Sequence, residues 1–90
     1  MTFRKFTLFT KRRSDLLKEI YRKGTLTIKE QKSYKSYLGF YFAAKILQET
    51  GLLTCNGTTR NNEKIWKLTE KGKTFTIKLL EIEKLIGEMN

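Results

Sequence analysis

One stretch of the sequence, residues 37–51, carries side chains whose types and spacing could bind another molecule. Tyr37, Tyr41 and Lys45 follow one another at intervals of four residues, so a helix would place them on one face. Phenol groups donate and accept hydrogen bonds, and a lysine ammonium attracts anions. The opposite face would pack on a core and is apolar: Phe40, Ala43, Ala44 and Leu47. We therefore expect a basic, aromatic face that points away from the core; alternatively, the tyrosines would pack against the preceding turn.

Catalytic and metal-binding chemistry is not indicated. Histidine is absent and Cys55 is the one cysteine, which excludes an internal disulfide and argues against a zinc site and His-based catalysis. The sequence has no cluster of Asp or Glu and no Gly-rich phosphate loop. We predict that the chain is not an enzyme and holds no metal or cofactor. A lone cysteine fits a reducing cytoplasm, where Cys55 would be either a buried, inert thiol or a redox sensor.

The charge of the chain points to a polyanionic partner. Nineteen Lys and Arg against nine Asp and Glu give a net charge of +10 and a pI near 9.9. Nucleic acid is the first candidate partner and an anionic membrane the second, while a merely soluble basic protein is the alternative without a partner. No apolar run approaches the length of about eighteen residues that a transmembrane helix needs, and the N-terminus does not resemble a secretory signal.

Residues 14–23 are predicted to form the first helix, because apolar residues recur there at helical spacing. Ser14 or Asp15 can cap its N-terminus, and Gly24 suits its exit. The preceding residues 1–13 are assigned to an N-terminal arm that ends in a basic cluster: Lys11, Arg12 and Arg13.

A second, short helix is predicted from a capping box. Thr27 and Glu30 have the spacing at which the threonine hydroxyl accepts from the Glu30 amide while the carboxylate reaches back. This helix would begin at Ile28 and end near Ser33 or Tyr34.

The longer helix that follows is predicted to begin after Ser36, which can cap it. It would stop at Gly51, where a residue with positive φ is needed. Two helices joined by a tight turn through Lys35, the second longer and amphipathic, form a helix-turn-helix pattern.

A β-hairpin is predicted after this helix. Residues 52–55 read as a strand, residues 56–62 are rich in turn formers, and residues 64–68 alternate as a returning strand. The polar tip of the hairpin would carry Arg60. Thr69 can then cap the last helix.

Two runs around this hairpin, GLLT at residues 51–54 and WKLTEKGK at residues 66–73, carry a resemblance to a known family. They resemble winged helix-turn-helix regulators of the MarR, PadR and ArsR type, above all the small archaeal and archaeal-virus versions that end in one long helix. The resemblance covers about residues 14–89. It implies an α+β, mostly α fold, with a winged helix-turn-helix of three helices and a β-hairpin wing at residues 14–69. A long C-terminal helix would occupy residues 70–90.

The resemblance also implies a transcription regulator that binds double-stranded DNA, with recognition helix 37–50 in the major groove and wing 55–63 on the backbone or in the minor groove. Such a protein would be cytoplasmic, on the nucleoid or, if viral, in the host cytoplasm. The family carries its DNA contacts on these two elements, here at Tyr37, Tyr41, Lys45 and Arg60. Neighbouring polar and basic residues complete the predicted DNA-binding set: Lys35, Ser36, Lys64, Arg12 and Arg13. The alternatives are a non-specific architectural DNA-binding protein of chromatin type and a winged-helix module that binds protein.

The last helix is predicted to mediate a homodimer. Apolar residues on it follow the 4-3-4-3 spacing of a heptad stripe: Phe75, Leu79, Ile82, Ile86 and Met89. The core of so small a domain would not cover this helix, so we expect a second copy to bind the stripe. The alternative is that the helix packs wholly on its own domain.

Overall fold

The computed structural model describes residues 11–89, with side chains to residue 87. Within this range the chain is α+β and mostly helical, as predicted, with helices α1 (Lys11–Lys23), α2 (Tyr37–Glu49) and α3 (Glu70–Met89) and strands β1 (Thr25–Leu26), β2 (Leu53–Thr58) and β3 (Lys64–Leu68). The strands form one antiparallel sheet in the order β1-β3-β2. Most of the predicted N-terminal arm, residues 1–10, lies outside the described residues.

The core lies between α1, α2 and the sheet. α1 buries Leu16, Leu17 and Ile20, which recur at helical spacing. α2 buries the four residues predicted for its inner face: Phe40, Ala43, Ala44 and Leu47. The Phe40 ring meets the Trp66 indole of β3 edge to face, with 6.4 Å between ring centroids. This contact fixes α2 against the hairpin β2–β3.

α1 extends further toward the N-terminus than predicted. Its first described turn contains the whole basic cluster: Lys11, Arg12 and Arg13. The cluster therefore belongs to a helix rather than to an arm, and Ser14 and Asp15 lie inside the helix instead of capping it. Lys and Arg have high helix propensity, so nothing in this cluster ends the helix. Asp15 instead pairs with Lys18, one turn along, at 3.4 Å.

The predicted second helix is wrong, because residues 27–31 form a single turn. The Thr27 amide and hydroxyl both donate to the Glu30 carboxylate, at 3.0 and 3.1 Å. The Gln31 amide donates to the Thr27 carbonyl at 3.2 Å. The carboxylate thus reaches back as a capping box requires, but the hydroxyl donates to it rather than accepting from the backbone.

The helical turn does not continue, because side chains accept hydrogen bonds from the backbone amides that follow it. The Lys32 amide donates to the Glu19 carboxylate at 3.1 Å. The Tyr34 amide donates to the Gln31 side-chain oxygen at 2.8 Å. In a continuing α-helix, both amides would bind carbonyls four residues earlier. Glu19 is buried in α1 and also accepts from the Ser33 hydroxyl, so α1 holds the segment that leads into α2.

The hairpin β2–β3 agrees with the prediction in its returning strand, Lys64–Leu68. Its first strand is longer than predicted and continues to Thr58, past a register shift after Cys55. Gly57, with φ of +89°, lies inside this shift, where a residue without a Cβ atom adopts the left-handed conformation without strain.

The end of α2 and the start of α3 meet at what we call the α2–α3 joint: Gly51, Leu52, Thr69 and Gly72. Gly51 follows the C-cap Thr50 with φ of +83°, as predicted. The Thr69 hydroxyl donates to the Gly51 carbonyl, and the Thr69 amide donates to the Leu52 carbonyl at 3.1 Å. The same hydroxyl accepts from the Gly72 amide at 2.9 Å, which confirms Thr69 as the cap of α3.

The first half of α3 packs on α1 and β3, where Thr76 is fully buried and donates to the Gly72 carbonyl at 2.8 Å. Further along, the Lys18 ammonium of α1 donates to the Glu83 carboxylate at 3.0 Å. This hydrogen bond is the main reason that the pKa of Lys18 is raised above its ordinary value. None of the three described helices is long and apolar enough to cross a membrane.

Gly72→Ala should destabilise the protein. A Cβ atom at position 72 would overlap the Leu52 carbonyl oxygen, which is packed backbone and cannot move aside easily. We expect the free energy of unfolding, measured by urea denaturation, to fall by about 1–3 kcal/mol. Gly87→Ala is the matched control, because Gly87 lies in the same helix with open space around it. That change should raise the free energy of unfolding by about 0.5–1 kcal/mol. An unchanged stability of the Gly72→Ala variant would contradict the close approach at the joint.

Candidate nucleic-acid interface

The start of α2 is fixed by Ser36, which is confirmed as its N-cap. Ser36 has extended backbone angles, φ −102° and ψ 146°, and its hydroxyl oxygen accepts from the Gly39 amide at 3.0 Å. Lys35 is exposed directly before the cap. This hydrogen bond fixes the residue at which α2 begins.

The three α2 residues predicted to face outward are exposed. Tyr37 is 58% exposed and Tyr41 is 44% exposed, so neither is packed away against the preceding turn. The Tyr41 ring contacts the edge of the Phe40 ring, with 6.0 Å between centroids, which restrains its orientation. Lys45 is exposed one turn further along the helix. This face therefore offers two phenol groups and a cation to a partner.

Two further residues at the centre of the same face were not among the predicted DNA-binding residues. Leu38 and Phe42 are 67% and 61% exposed, the highest values among the large apolar side chains that the structure describes. With roughly 100° of rotation per residue, both point away from the inner face that contains Phe40 and Leu47. The spacing in the sequence could have identified both residues. Positions 38 and 42 are one helical turn apart and do not fall on the side of the helix that carries the buried residues.

The tip of the hairpin is ordered around Thr59. Its hydroxyl accepts from the amides of Asn61 and Glu63, at 3.3 and 3.2 Å, and its amide donates to the Glu63 carbonyl at 2.8 Å. The Glu63 carboxylate pairs with Lys29 at 3.5 Å. Arg60 is exposed on this tip, as predicted. This hydrogen-bonded turn thus carries the arginine, and the Glu63 carboxylate of the same hairpin is paired with Lys29.

Lys64, at the start of β3, is held over the indole of Trp66, with its ammonium 5.7 Å from the ring centroid. Because Trp66 also contacts Phe40, this cation is connected to α2 through two aromatic rings. Lys64 remains exposed to solvent.

The predicted DNA-binding residues fall on three elements. Those of α2 and its cap share one outward face, and those of the hairpin are joined to α2 through the Phe40–Trp66 contact. Arg12 and Arg13 are on α1, which packs mainly on β1, β3 and α3. Lys64 of the hairpin is therefore linked to the helix that carries Tyr37, Tyr41 and Lys45, while Arg12 and Arg13 lie on a different helix.

The predicted dimerisation stripe is divided between two environments. Phe75 packs against the core of its own chain, and Leu79 is half-buried. Ile82 and Ile86 are 54% and 53% exposed. The side chain of Met89 lies outside the described residues. The first half of the stripe thus matches the alternative, in which α3 packs on its own domain, while the second half is left at the surface.

Among the residues that the structure describes, no three His, Cys, Asp or Glu side chains are grouped so that they could hold a metal ion. Cys55 is half-buried on β2, with its thiol 3.5 Å from the Gly57 carbonyl.

No protein-family model and no curated protein matches the chain. Its structure is similar to the crystal structure of AF1382 from Archaeoglobus fulgidus, with a TM-score of 0.71 and 21% sequence identity. The match covers 92% of this chain and 96% of that chain. At this identity the similarity shows a shared fold and nothing about a shared activity.

Substitutions at Ser36 should separate its structural role from a DNA contact. Ser36→Ala removes the cap and should lower the free energy of unfolding by about 1 kcal/mol. Ser36→Asp retains an oxygen that accepts from the Gly39 amide and should keep the stability of the native protein. The added negative charge should nevertheless weaken binding to duplex DNA in an anisotropy titration, because it repels phosphate. If Ser36→Asp binds DNA as tightly as the native protein, this end of α2 does not face DNA.

Proposed function

We propose that the chain is a winged helix-turn-helix protein that binds double-stranded DNA as a homodimer and regulates transcription. α2 enters the major groove, and the hairpin β2–β3 is the wing, which contacts the DNA backbone or the minor groove. The outward face of α2 carries this proposal: two exposed tyrosines and Lys45 stand on a helix that is fixed beside a hairpin bearing Arg60 and Lys64.

The charge of the chain supports a nucleic-acid partner. At a net charge of +10, association with DNA is favoured over a wide range of orientations. Lys35 and Lys45 lie toward opposite ends of the α2 face and can each neutralise a phosphate. Every phosphate contact releases counterions, so the logarithm of the affinity should fall by about 0.9 for each tenfold rise in salt and each phosphate neutralised.

The N-terminus of α2 supports a second kind of phosphate contact. The first amide groups of a helix have no acceptor within the helix, and the helix dipole adds partial positive charge there. Ser36 satisfies one of these amides, that of Gly39. The amides ahead of it, beside Lys35, can receive a phosphate oxygen, which would fix the position of α2 in the groove.

The exposed second half of α3 supports the homodimer. Leu85 lies beside Ile82 and Ile86, and all three are more than half exposed. Apolar surface of this kind on one side of a helix is stabilised when a second copy covers it. A two-fold dimer would place two α2 helices in successive major grooves, about 34 Å apart on a pseudo-palindromic site.

A second candidate, a non-specific architectural DNA-binding protein, is favoured by one observation. α2 carries no Arg or Asn and only one Gln, the residues that most often form paired hydrogen bonds with base edges. A protein without such contacts could bind through phosphates alone.

Lys45→Ala should weaken binding to every duplex sequence by a similar factor and reduce the steepness of the salt dependence, because it removes one phosphate contact. Arg60→Ala should instead change the relative affinity for A·T-rich flanking sequence, if the wing enters the minor groove. Anisotropy titrations at several salt concentrations measure both effects. Lys84→Ala, an exposed lysine of α3, is the control and should change affinity less than Lys45→Ala does. Equal reductions at positions 45 and 84 would contradict the placement of α2 on DNA.

The double substitution Ile82→Glu, Ile86→Glu should convert the dimer to a monomer, because it places carboxylates in the apolar surface between the copies. Sedimentation equilibrium measures the molecular mass directly. Lys84→Glu changes the net charge by the same two units on another side of α3 and should leave the dimer intact. A double variant that remains dimeric would exclude this surface as the interface.

A further inference from the structure

The apolar part of the outward face of α2 is unusual for a surface that binds a polyanion. Leu38 and Phe42 are the two most exposed large apolar side chains of the described structure. They are more exposed than Ile82 and Ile86 of α3. They lie one turn apart, with the rings of Tyr37 and Tyr41 beside them along the helix. The first two turns of α2 therefore present a continuous hydrocarbon strip.

Positively charged side chains lie at both ends of this strip. Lys35 precedes it and Lys45 follows it, both exposed. The wing, which carries Arg60 and Lys64, contacts the same helix through Trp66. The one carboxylate of α2, Glu49, comes at the last residue of the helix, beyond Lys45. α2 thus presents an apolar strip that has positive charge at both of its ends. Such a surface is complementary to a groove that has phosphates on its rims and apolar groups on its floor.

The major groove of DNA has this composition where thymine is present. It is about 12 Å wide and accepts one α-helix, and the thymine C5-methyl group is its apolar feature. The N-terminal residues of a recognition helix are those that reach base edges, and here they are the residues of the hydrocarbon strip. The first two turns of α2 contain no Arg, Lys, Asn or Gln, the side chains that most often form paired hydrogen bonds with base edges.

We propose that Leu38 and Phe42 read thymine methyl groups in the major groove, so that the preferred DNA sites contain thymine at the positions under the first two turns of α2. This inference rests on the proposed function, whose DNA contact it specifies. Sequence preference then arises from apolar contact rather than from hydrogen bonds to base edges, and Lys45 supplies phosphate affinity without choosing the sequence. Each methyl group buried against these side chains should increase the affinity roughly fourfold.

The test uses a duplex selected by the protein from a random pool and the same duplex with deoxyuridine in place of thymidine. This replacement removes the C5-methyl group and leaves base pairing unchanged. We expect thymine to be enriched in the selected half-sites. The deoxyuridine duplex should bind roughly fourfold more weakly for each thymine methyl group that these side chains bury in the native complex. The double variant Leu38→Ala, Phe42→Ala should bind the two duplexes with nearly equal affinity. Its stability should be retained, since both side chains are exposed.

Tyr21→Ala is the control, because Tyr21 is an exposed aromatic residue on a different helix, α1. It should retain the full difference between the two duplexes. Equal binding of both duplexes by the native protein, or a selection that enriches no sequence, would overturn methyl readout while leaving DNA binding in place. A double variant that loses its dimeric state would assign the strip to contact between copies and also overturn the inference. If no duplex binds even at low salt, the proposed function fails together with it.

Discussion

The close approach of α3 to the end of α2 is the constraint on which the rest of the structure depends. Gly72 lies against the Leu52 carbonyl so tightly that no side chain fits between them. Thr69 bridges the same point, with its hydroxyl on the Gly51 carbonyl and its amide on the Leu52 carbonyl. The helix proposed to contact DNA is thereby locked to the helix proposed to hold the dimer. Thr69 and Gly72 belong to the Leu-Thr-Glu-Lys-Gly run at residues 68–72, and this run therefore has a structural role at the α2–α3 joint.

Local signals in the sequence predicted the elements that this joint connects. Ser36, Gly51 and Thr69 cap or end helices by contacts within a few residues, so their types and positions were sufficient to predict those ends. The segment between α1 and α2 could not be predicted in the same way. Its amides are bound by the side chains of Glu19 and Gln31, and Glu19 comes from another element. The capping box of Thr27 and Glu30 therefore predicted a helix. The structure has a single turn there, because the distant Glu19 carboxylate binds the residues that follow.

The sequence predicted which side of α2 faces outward, but it did not predict all of the side chains on that side. The spacing of Tyr37, Tyr41 and Lys45 identified the face because hydrogen-bonding and charged side chains were expected outside. Leu38 and Phe42 were not predicted to contact a partner, because only hydrogen-bonding and charged side chains were expected to bind DNA. The burial of Phe40 against Trp66, with Ala43, Ala44 and Leu47 on the same inner face, leaves the two apolar residues on the opposite side of the helix, at the surface. Likewise, the heptad pattern of α3 did not reveal that its first half serves the core of the same chain.

We propose that two α2 helices, one from each copy of a homodimer, together recognise a DNA sequence. The most direct test measures the affinity of the native protein for a random duplex pool and for duplexes selected from that pool, at the same salt concentration. We expect a preference of roughly a thousandfold or more for the selected duplexes, the low end of specific recognition. We also expect their half-sites to be separated by about one helical turn. Equal affinity for both sets, with a steep salt dependence, would contradict sequence recognition and leave an architectural DNA-binding protein.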